Sequence, residues 1–518
     1  MCKYTAIYYD YELNYLAKYK CPHPAKVDGY CIFHAEDYWR EHEEEVRDEF
    51  YKLVESAITD QKPLLCIGFN LPSFDFKPLK KKGLKIEFKK PVYFSSASFQ
   101  AEADFNFASF QAADFSSASF QAEADFNFAS FQAEADFNFA SFQAEAYFSS
   151  ASFQAEAYFS SASFQAKAYF RSASFQAADF SYASFQAADF SYASFQAADF
   201  SSASFQAEAD FTNTDFQDEV EFINTKFYPY LFRWNNDKEI EEALKRFNII
   251  GKIEKHNNTI IVNGQIVIDL EKRILRADKE YKLSIKNEDN NKIIYLKYDD
   301  IPIKFDYSTF RKRVRFIGEA NDQLSLEAVS FKGVDLTNVE FHNVKWKEKR
   351  RLKGLISRKI IIDEEFLDVY KNYEEVSKIY NQLRKNYESR LLFNEASNFF
   401  IGEMEAIRKG LENDHGLRKL RSIPYLLYKW IAMYGESASL PLIVWTPIAI
   451  GSFLALRIVM NCNPNDITCI NQQAIDGIRA YFQFPKLDDN IGVIERLISV
   501  PFLASAFIAL KRKFERRK

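Results

Sequence analysis

A phenylalanine that returns every fifth or sixth position from Phe94 to Phe227 leaves very few folds open to this chain. The series is Phe94, Phe99, Phe105, Phe110, Phe115, Phe120, Phe126, Phe131, Phe137, Phe142, Phe148, Phe153, Phe159, Phe164, Phe170, Phe175, Phe180, Phe185, Phe190, Phe195, Phe200, Phe205, Phe211, Phe216, Phe222 and Phe227. An alanine precedes most of them by two positions, as at Ala97, Ala103 and Ala108. In an α-helix a step of five turns the ring by about 140°, which smears it over every face. The repeat also shortens from eleven to ten between Ala173 and Ala203, so an eleven-residue coiled-coil register is broken. A strand needs period two. A solenoid with five-residue sides satisfies the spacing, one Phe and one Ala per side pointing inward and the corners facing solvent.

Units such as ASFQA and ADFSS resemble the pentapeptide-repeat family, A-[D/N/S]-[L/F]-x-x. That resemblance implies a mainly β solenoid, a right-handed quadrilateral β-helix with four pentapeptides per coil. The 26 sides then make about 6.5 coils, roughly 31 Å of rod. Where sides of five and six alternate, four sides close one coil, and each residue stacks on its equivalent in the next. Glu123 then lies under Glu145 and Lys167, and Glu134 under Glu156. The six-residue sides are expected to bulge outward, with Lys167 relieving the first acidic stack.

Charge is unevenly shared. The net charge is −5, yet residues 94–227 hold 18 Asp and Glu against Lys167, Arg171 and Lys226, which leaves +10 for the remainder. With six His in all, and no phosphate loop, nucleophile elbow or paired His, no enzyme is expected.

Residues 1–62 carry Cys2, Cys21, Cys31 and His34. A Cys-x2-His pair with two further thiols suits a closed tetrahedral zinc site, and the pattern resembles small Cys3His modules; reduced free thiols are the alternative. Residues 35–60 predict an amphipathic helix carrying Val46, Phe50 and Val54. MCKYTAIYYDYELNY lacks an apolar core, so no secretory signal is expected. The rod with its N-terminal cap is read as 63–227, and Cys66 as a small buried residue of that cap. A small α+β insertion follows at 228–315, with an Asn263-Gly264 hairpin turn. In 316–346 Phe331, Leu336, Phe341 and Trp346 restore the step of five, as a second short solenoid or as extra coils on the first.

Residues 347–434 read as a helical linker, resembling the TPR-like hairpins that join pentapeptide repeats to membrane domains. Glu403, Glu405 and Arg408 are expected to pair there. Within 435–518, Ser437–Leu456 and Ile491–Leu510 are each long enough to span a bilayer, the second carrying Glu495 and Arg496. Basic flanks (HGLRKLRSIPYLLYKW and KRKFERRK) and an acidic loop at 461–490 place both termini in the cytoplasm of a cell-membrane protein. Cys462 and Cys469 could form a disulfide in that outer loop. The two spans, with Tyr434-Gly435-Glu436 before and G-V-I-E-R after the loop, resemble a two-transmembrane ion-channel domain. That resemblance implies a homo-oligomer, a tetramer if channel-like. It makes Gln472–Phe484 the pore helix and Asp488, Asp489 and Glu495 the pore candidates. No glycine pair of a potassium filter follows. The function expected is a membrane-anchored interaction scaffold for a protein partner, with no direct nucleic-acid binding. The alternative is an acidic rod that mimics DNA and occupies a type II topoisomerase.

Overall fold

Equivalent residues of successive coils lie side by side in parallel ladders: Ala113 beside Ala135, Ser119 beside Ser141, Ala124 beside Ala146. Where the repeat shortens, so does the offset, and Ser174 lies beside Ser194. The computed structural model describes residues 1–518 except 229–231, 235–236, 247–248, 257, 277–279, 289–290, 297–300, 352–355, 368–370, 415, 438–439, 463–465, 483–489 and 516–518. Two parallel sheets form the walls of a β-solenoid. One ladder crosses ten strands, from Leu64–Leu65 to Val339–His342, about 43 Å at the usual strand spacing.

All 26 phenylalanines of the series are at most 2% exposed. They stand in columns. Phe115, Phe137, Phe159 and Phe180 stack nearly parallel, with centroids 4.9 Å apart at each step. Phe126 and Phe148 of the neighbouring column meet Phe137 edge-to-face at 5.4 and 5.5 Å. Parallel stacking within a column and T-shaped packing between columns both suit the ring quadrupole. Each ring also contributes about 1.5–3 kcal/mol by leaving water.

Alternate corners are made differently. At Phe107, Phe128, Ser150, Ser172, Tyr192 and Asn213 on one edge, and Ser96, Ser117, Phe139, Ser161, Tyr182, Ser202 and Asn224 on another, φ lies between +55° and +60°. At all of these but Asn224 the residue after the corner donates its N–H back three positions, as Ala129 does to the Phe126 carbonyl at 3.1 Å. No glycine occupies these corners, so each stores left-handed strain that the stacked rungs hold in place. Ser172→Val, with a β-branched side chain at φ +58°, is expected to cost about 1–2 kcal/mol in chemical denaturation, and Ser172→Asn close to nothing. The other corners carry the six-residue sides. Where a six-residue side meets a five-residue side the ladder takes a β-bulge, the register slipping between Phe153 and Glu156 and between Phe164 and Lys167. Lys167 reaches across Ala187 to Glu208, 3.9 Å away, so its ion pair is with Glu208.

Residues 303–315, which the sequence reading puts in the insertion, belong to a rung of the rod. Ile303–Lys304 pairs with Ala209–Asp210, and Phe305 stacks on Phe211 at 4.7 Å. Residues 316–346 continue the same rod, with Phe341 on Phe316 and Trp346 closing the column against Phe341. The intervening module has helix Asp237–Arg246 beside a seven-stranded antiparallel sheet, and Asn263-Gly264 turns the hairpin with φ +52° and +83°.

At the N-terminal end, helix α1 (Glu43–Thr59) buries Val46, Phe50, Val54 and Ala57. Phe50 meets Phe74 and Phe94 edge-on, so the helix seals the first coil. Strands Thr5–Asp10 and Tyr15–Lys20 form an antiparallel hairpin that the sequence reading does not contain. Tyr8 packs edge-on to Tyr93 of the first coil at 4.9 Å.

At the other end Asp363 is 2% exposed and shares a hydrogen bond with the Ser330 hydroxyl, which also lies within hydrogen-bond distance of Asp306. Burial, with Asp306 nearby, raises Asp363 to about 7. A carboxyl raised on folding is stabilising while protonated, and the benefit is lost as pH climbs from its unfolded value through about 7. Thermal stability is therefore expected to fall over that window, and Asp363→Asn to flatten the loss measurably.

Residues 348–360 and 364–518 form a second compact unit. Helices α2 (Tyr373–Ser389) and α3 (Phe393–Glu412) make an antiparallel hairpin, with Tyr380, Leu383 and Tyr387 of α2 buried toward Phe399 and Ala406 of α3. Gly402 permits the approach, since a Cβ there would lie 2.5 Å from the Tyr380 ring. Arg384 pairs with Glu403 across the hairpin at 3.1 Å. Glu405 takes Arg408 at 2.9 Å and Lys429 from helix α4 (Ile423–Ala432). Burial alone would raise Glu364, but Arg358 and Lys349 outweigh it and hold the carboxyl at about 2.

Candidate functional site

The N-terminal hairpin brings distant thiols together. Cys2 precedes its first strand and Cys21 follows its second, so the antiparallel pairing carries both to one end. A tight turn, in which the His34 and Ala35 N–H groups donate to the Cys31 carbonyl, presents Cys31 and His34 to them. All four side chains are buried, and their ligand atoms lie within 4.8 Å of one another. Cys21 and Cys31 Sγ are 3.7 Å apart, Cys2 Sγ and His34 Nδ1 3.7 Å, and Cys31 Sγ and His34 Nδ1 3.1 Å. A tetrahedron with bonds of about 2.3 Å has edges of about 3.8 Å. These four residues could therefore bind a metal ion.

The surroundings orient the donors. His34 Nε2 is 2.9 Å from the Ile67 carbonyl. A carbonyl only accepts, so Nε2 carries the hydrogen and Nδ1 turns its lone pair to the thiols. Tyr4 stacks on the imidazole at 3.8 Å. The Cys31 thiol hydrogen-bonds Cys21 and lowers it, and Cys31 is raised in turn. His23, near a ligand position in sequence, packs edge-on to Phe33 and Phe69. Cys66, fully buried, has its thiol raised by burial.

The second unit holds two helices long and apolar enough to cross a membrane, Leu440–Asn461 and Val493–Arg512. They lie within segments that include helices α5 (Thr446–Asn461) and α7 (Asn490–Glu515), and α6 (Ile467–Tyr481) comes between them in the chain. The first span runs past the uncharged stretch ending at Leu456 and takes in Arg457. Arg457 Nε is 3.3 Å from Glu495 Oε2, the two side chains 1% and 0% exposed. Glu495, read as a pore candidate, is thus engaged by an arginine one residue beyond the stretch recognised from sequence. A methyl group added at Gly477 of α6 would touch Glu495 and Arg457 at 3.6 and 3.9 Å, so this helix covers the pair closely. Tyr481 at its end shares a 2.9 Å hydrogen bond with Thr446 of the first span. Cys462 and Cys469 are disulfide-bonded, tying the end of α5 to the start of α6. Helix α6 overlaps the pore-helix candidate Gln472–Phe484. Asp488 and Asp489 lie outside the described residues.

The end of the second span makes polar contacts of its own. Arg512, at the end of the second span, donates to the Tyr434 carbonyl at 3.0 Å, pairs with Glu436 at 3.3 Å and covers the Phe400 ring of α3. No spacing rule relates Arg512 to Glu436 or Arg457 to Glu495. The available signal was the charged pair Glu495 and Arg496 inside the second apolar segment, with Arg457 directly after the first.

Residues 168–206 match the family model for pentapeptide repeats, in eight copies. No curated protein matches the chain. The matched segment is the ten-residue part of the rod, and the same inward Ala and Phe rungs extend through the walls on both sides of it. The chain therefore carries a pentapeptide-repeat β-solenoid, followed by helices of which two are long and apolar enough to cross a membrane.

Proposed function

We propose that this protein is a membrane-anchored interaction scaffold, its rod a rigid non-catalytic surface and its last two long helices the anchor. The observation that carries the reading is the anchor's inverted distribution of polarity. Arg457 and Glu495 are buried, whereas Val459, Ile443, Leu497 and Phe507 are 66–82% exposed. Charges inside and aliphatic side chains outside suit hydrocarbon rather than water. Alkaline extraction of membranes tests this: the full chain should stay in the pellet, and recovery in the supernatant would overturn the reading. The basic flanks put both ends in the cytoplasm and the disulfide outside. The anchor is proposed to assemble as a homo-oligomer, checked by the mass of the detergent-solubilised protein; a monomer would remove the channel-like version.

The Cys2, Cys21, Cys31 and His34 cluster is proposed to hold structural zinc. Three thiolates and an imidazole leave no open position, and bound zinc would fasten the hairpin to the cap of the rod. Metal analysis of purified protein should find about one zinc per chain, lost in Cys31→Ser. Folded, metal-free protein with reduced thiols would contradict it. The acidic rod keeps a second reading in play, occupation of a type II topoisomerase in place of DNA, and failure to compete with DNA in a supercoiling assay would end it.

A further inference from the structure

The change from eleven to ten positions per half-coil leaves a dent on each wall of the rod, and the two dents differ in what fills them. On one wall the column reads Lys167, Ala187, Glu208. The Lys167 ammonium lies over the Tyr169 ring, 5.3 Å from its centroid, and 3.9 Å from Glu208. The chain's own lysine thus spans the gap left by the small residue. On the other wall the equivalent column reads Glu156, Ala177, Ala197, Glu219. Acids stand at both ends with two alanines between them, and among the described residues no lysine or arginine bridges them.

That second dent is a groove of about 350 Å³. Its floor is alanine, and Tyr158, Asp179 and Asp199 stack along one side. Among the described residues no cation lies within ion-pair distance of Glu156, Asp179, Asp199 or Glu219, whereas Glu221 at the rim is paired with Arg315. Tyr158 corresponds to Tyr169, the ring beneath the lysine on the opposite wall.

We propose that this groove receives a lysine side chain from a partner protein. The methylene stem lies along the alanine floor, the ammonium meets the acids, and the Tyr158 ring supplies the face that Tyr169 supplies to Lys167. The inference deepens the scaffold reading, on which it rests, by giving its partner a chemistry: an exposed segment rich in lysine. Charge alone would spread such a segment over the whole acidic rod. The groove gives it one address, because opposed acids here flank an apolar gap that the chain leaves open.

The test uses the full chain in detergent and a fluorescein-labelled peptide of alternating Lys and Ala, read by anisotropy. Glu156→Lys places in the groove the residue type found at position 167, and is expected to weaken binding about tenfold or more. Glu102→Lys makes the same charge change at an exposed site elsewhere on the rod and should alter binding by about twofold at most. Glu219→Gln provides a second, uncharged probe and should weaken binding without adding a lysine. Thermal unfolding of each variant verifies the rod. Equal losses in Glu156→Lys and Glu102→Lys would overturn the proposal in favour of diffuse attraction. So would binding of spermidine, but not the peptide, which would assign the groove to free polyamines. No binding of either would overturn it outright. Failure of membrane anchoring would show separately, in the alkaline extraction, with peptide binding intact.

Discussion

Phe159→Ala is expected to destabilise the rod by about 3–5 kcal/mol, among the largest effects of any single substitution in this chain. The ring is fully buried, stacked on Phe137 and Phe180 at 4.9 Å on either side, and edge-on to Phe148 and Phe170 at 5.6 and 5.7 Å. Its neighbours are themselves held by rungs above and below, so the cavity cannot collapse without unstacking a column. Chemical denaturation followed by far-ultraviolet circular dichroism reads the loss. Phe227→Ala, where the ring stacks on one neighbour in its column, Phe205, should cost less. Hydrogen exchange should show opening that spreads from rung 159 to the rungs on both sides, because each coil's backbone partners are its neighbours. A loss under about 1 kcal/mol would mean that the ring is not packed as described.

The second large effect belongs to the buried ion pair of the anchor. Arg457→Ala leaves Glu495 without its arginine at a site where both side chains are at most 1% exposed. Removing one partner of a buried pair typically costs about 3–5 kcal/mol, because the remaining charge stays desolvated. The expected outcome is loss of folded protein on detergent gel filtration and a sharply lower melting temperature. Replacing both residues, Arg457→Leu with Glu495→Leu, should recover most of the loss, since the apolar pair carries no desolvation cost. Recovery by the double variant separates an ion pair from a general intolerance of change at either position. If instead Arg457→Ala is silent, the pair is not buried and the arrangement of the two spans around it is wrong.

The rod was legible because its spacing admits one backbone. A ring at every fifth or sixth position fits neither a helix nor a flat strand, and Ala two positions earlier marks the second inward site, as Ala97 and Phe99 do at 1% and 0% exposure. The return at 303–315 was not legible, because Ile303 and Ser308 stand where alanines stand elsewhere and only Phe305 and Phe310 keep the step. The N-terminal hairpin was hidden for a different reason. Its strand Thr5–Asp10 alternates between exposed and half-buried residues, and tyrosine sits on both faces, so no polar and apolar sides can be told apart. The left-handed corners carry Ser, Phe and Tyr instead of the glycine that usually advertises such a turn. At the metal cluster, residue types and the close Cys31–His34 pair were readable. That Cys2 and Cys21 join them follows from the strand pairing, which no spacing rule supplied. The ion pair escaped because Arg457 lies one residue outside the uncharged stretch while Glu495 lies in the other span.

The most direct test of the rod is oxidative cross-linking of paired cysteines along and across it. Ser152 and Ser174, equivalent positions of successive coils, are ladder partners on one wall. Ser163, midway between them in the chain, pairs with Ser141 and Ser184 on the other wall. With a mild oxidant and mass-spectrometric mapping, Ser152→Cys with Ser174→Cys should link rapidly, and Ser152→Cys with Ser163→Cys should not link at all. Linking of 152 to 163 in preference to 174 would contradict the four-sided coil and the scaffold built on it.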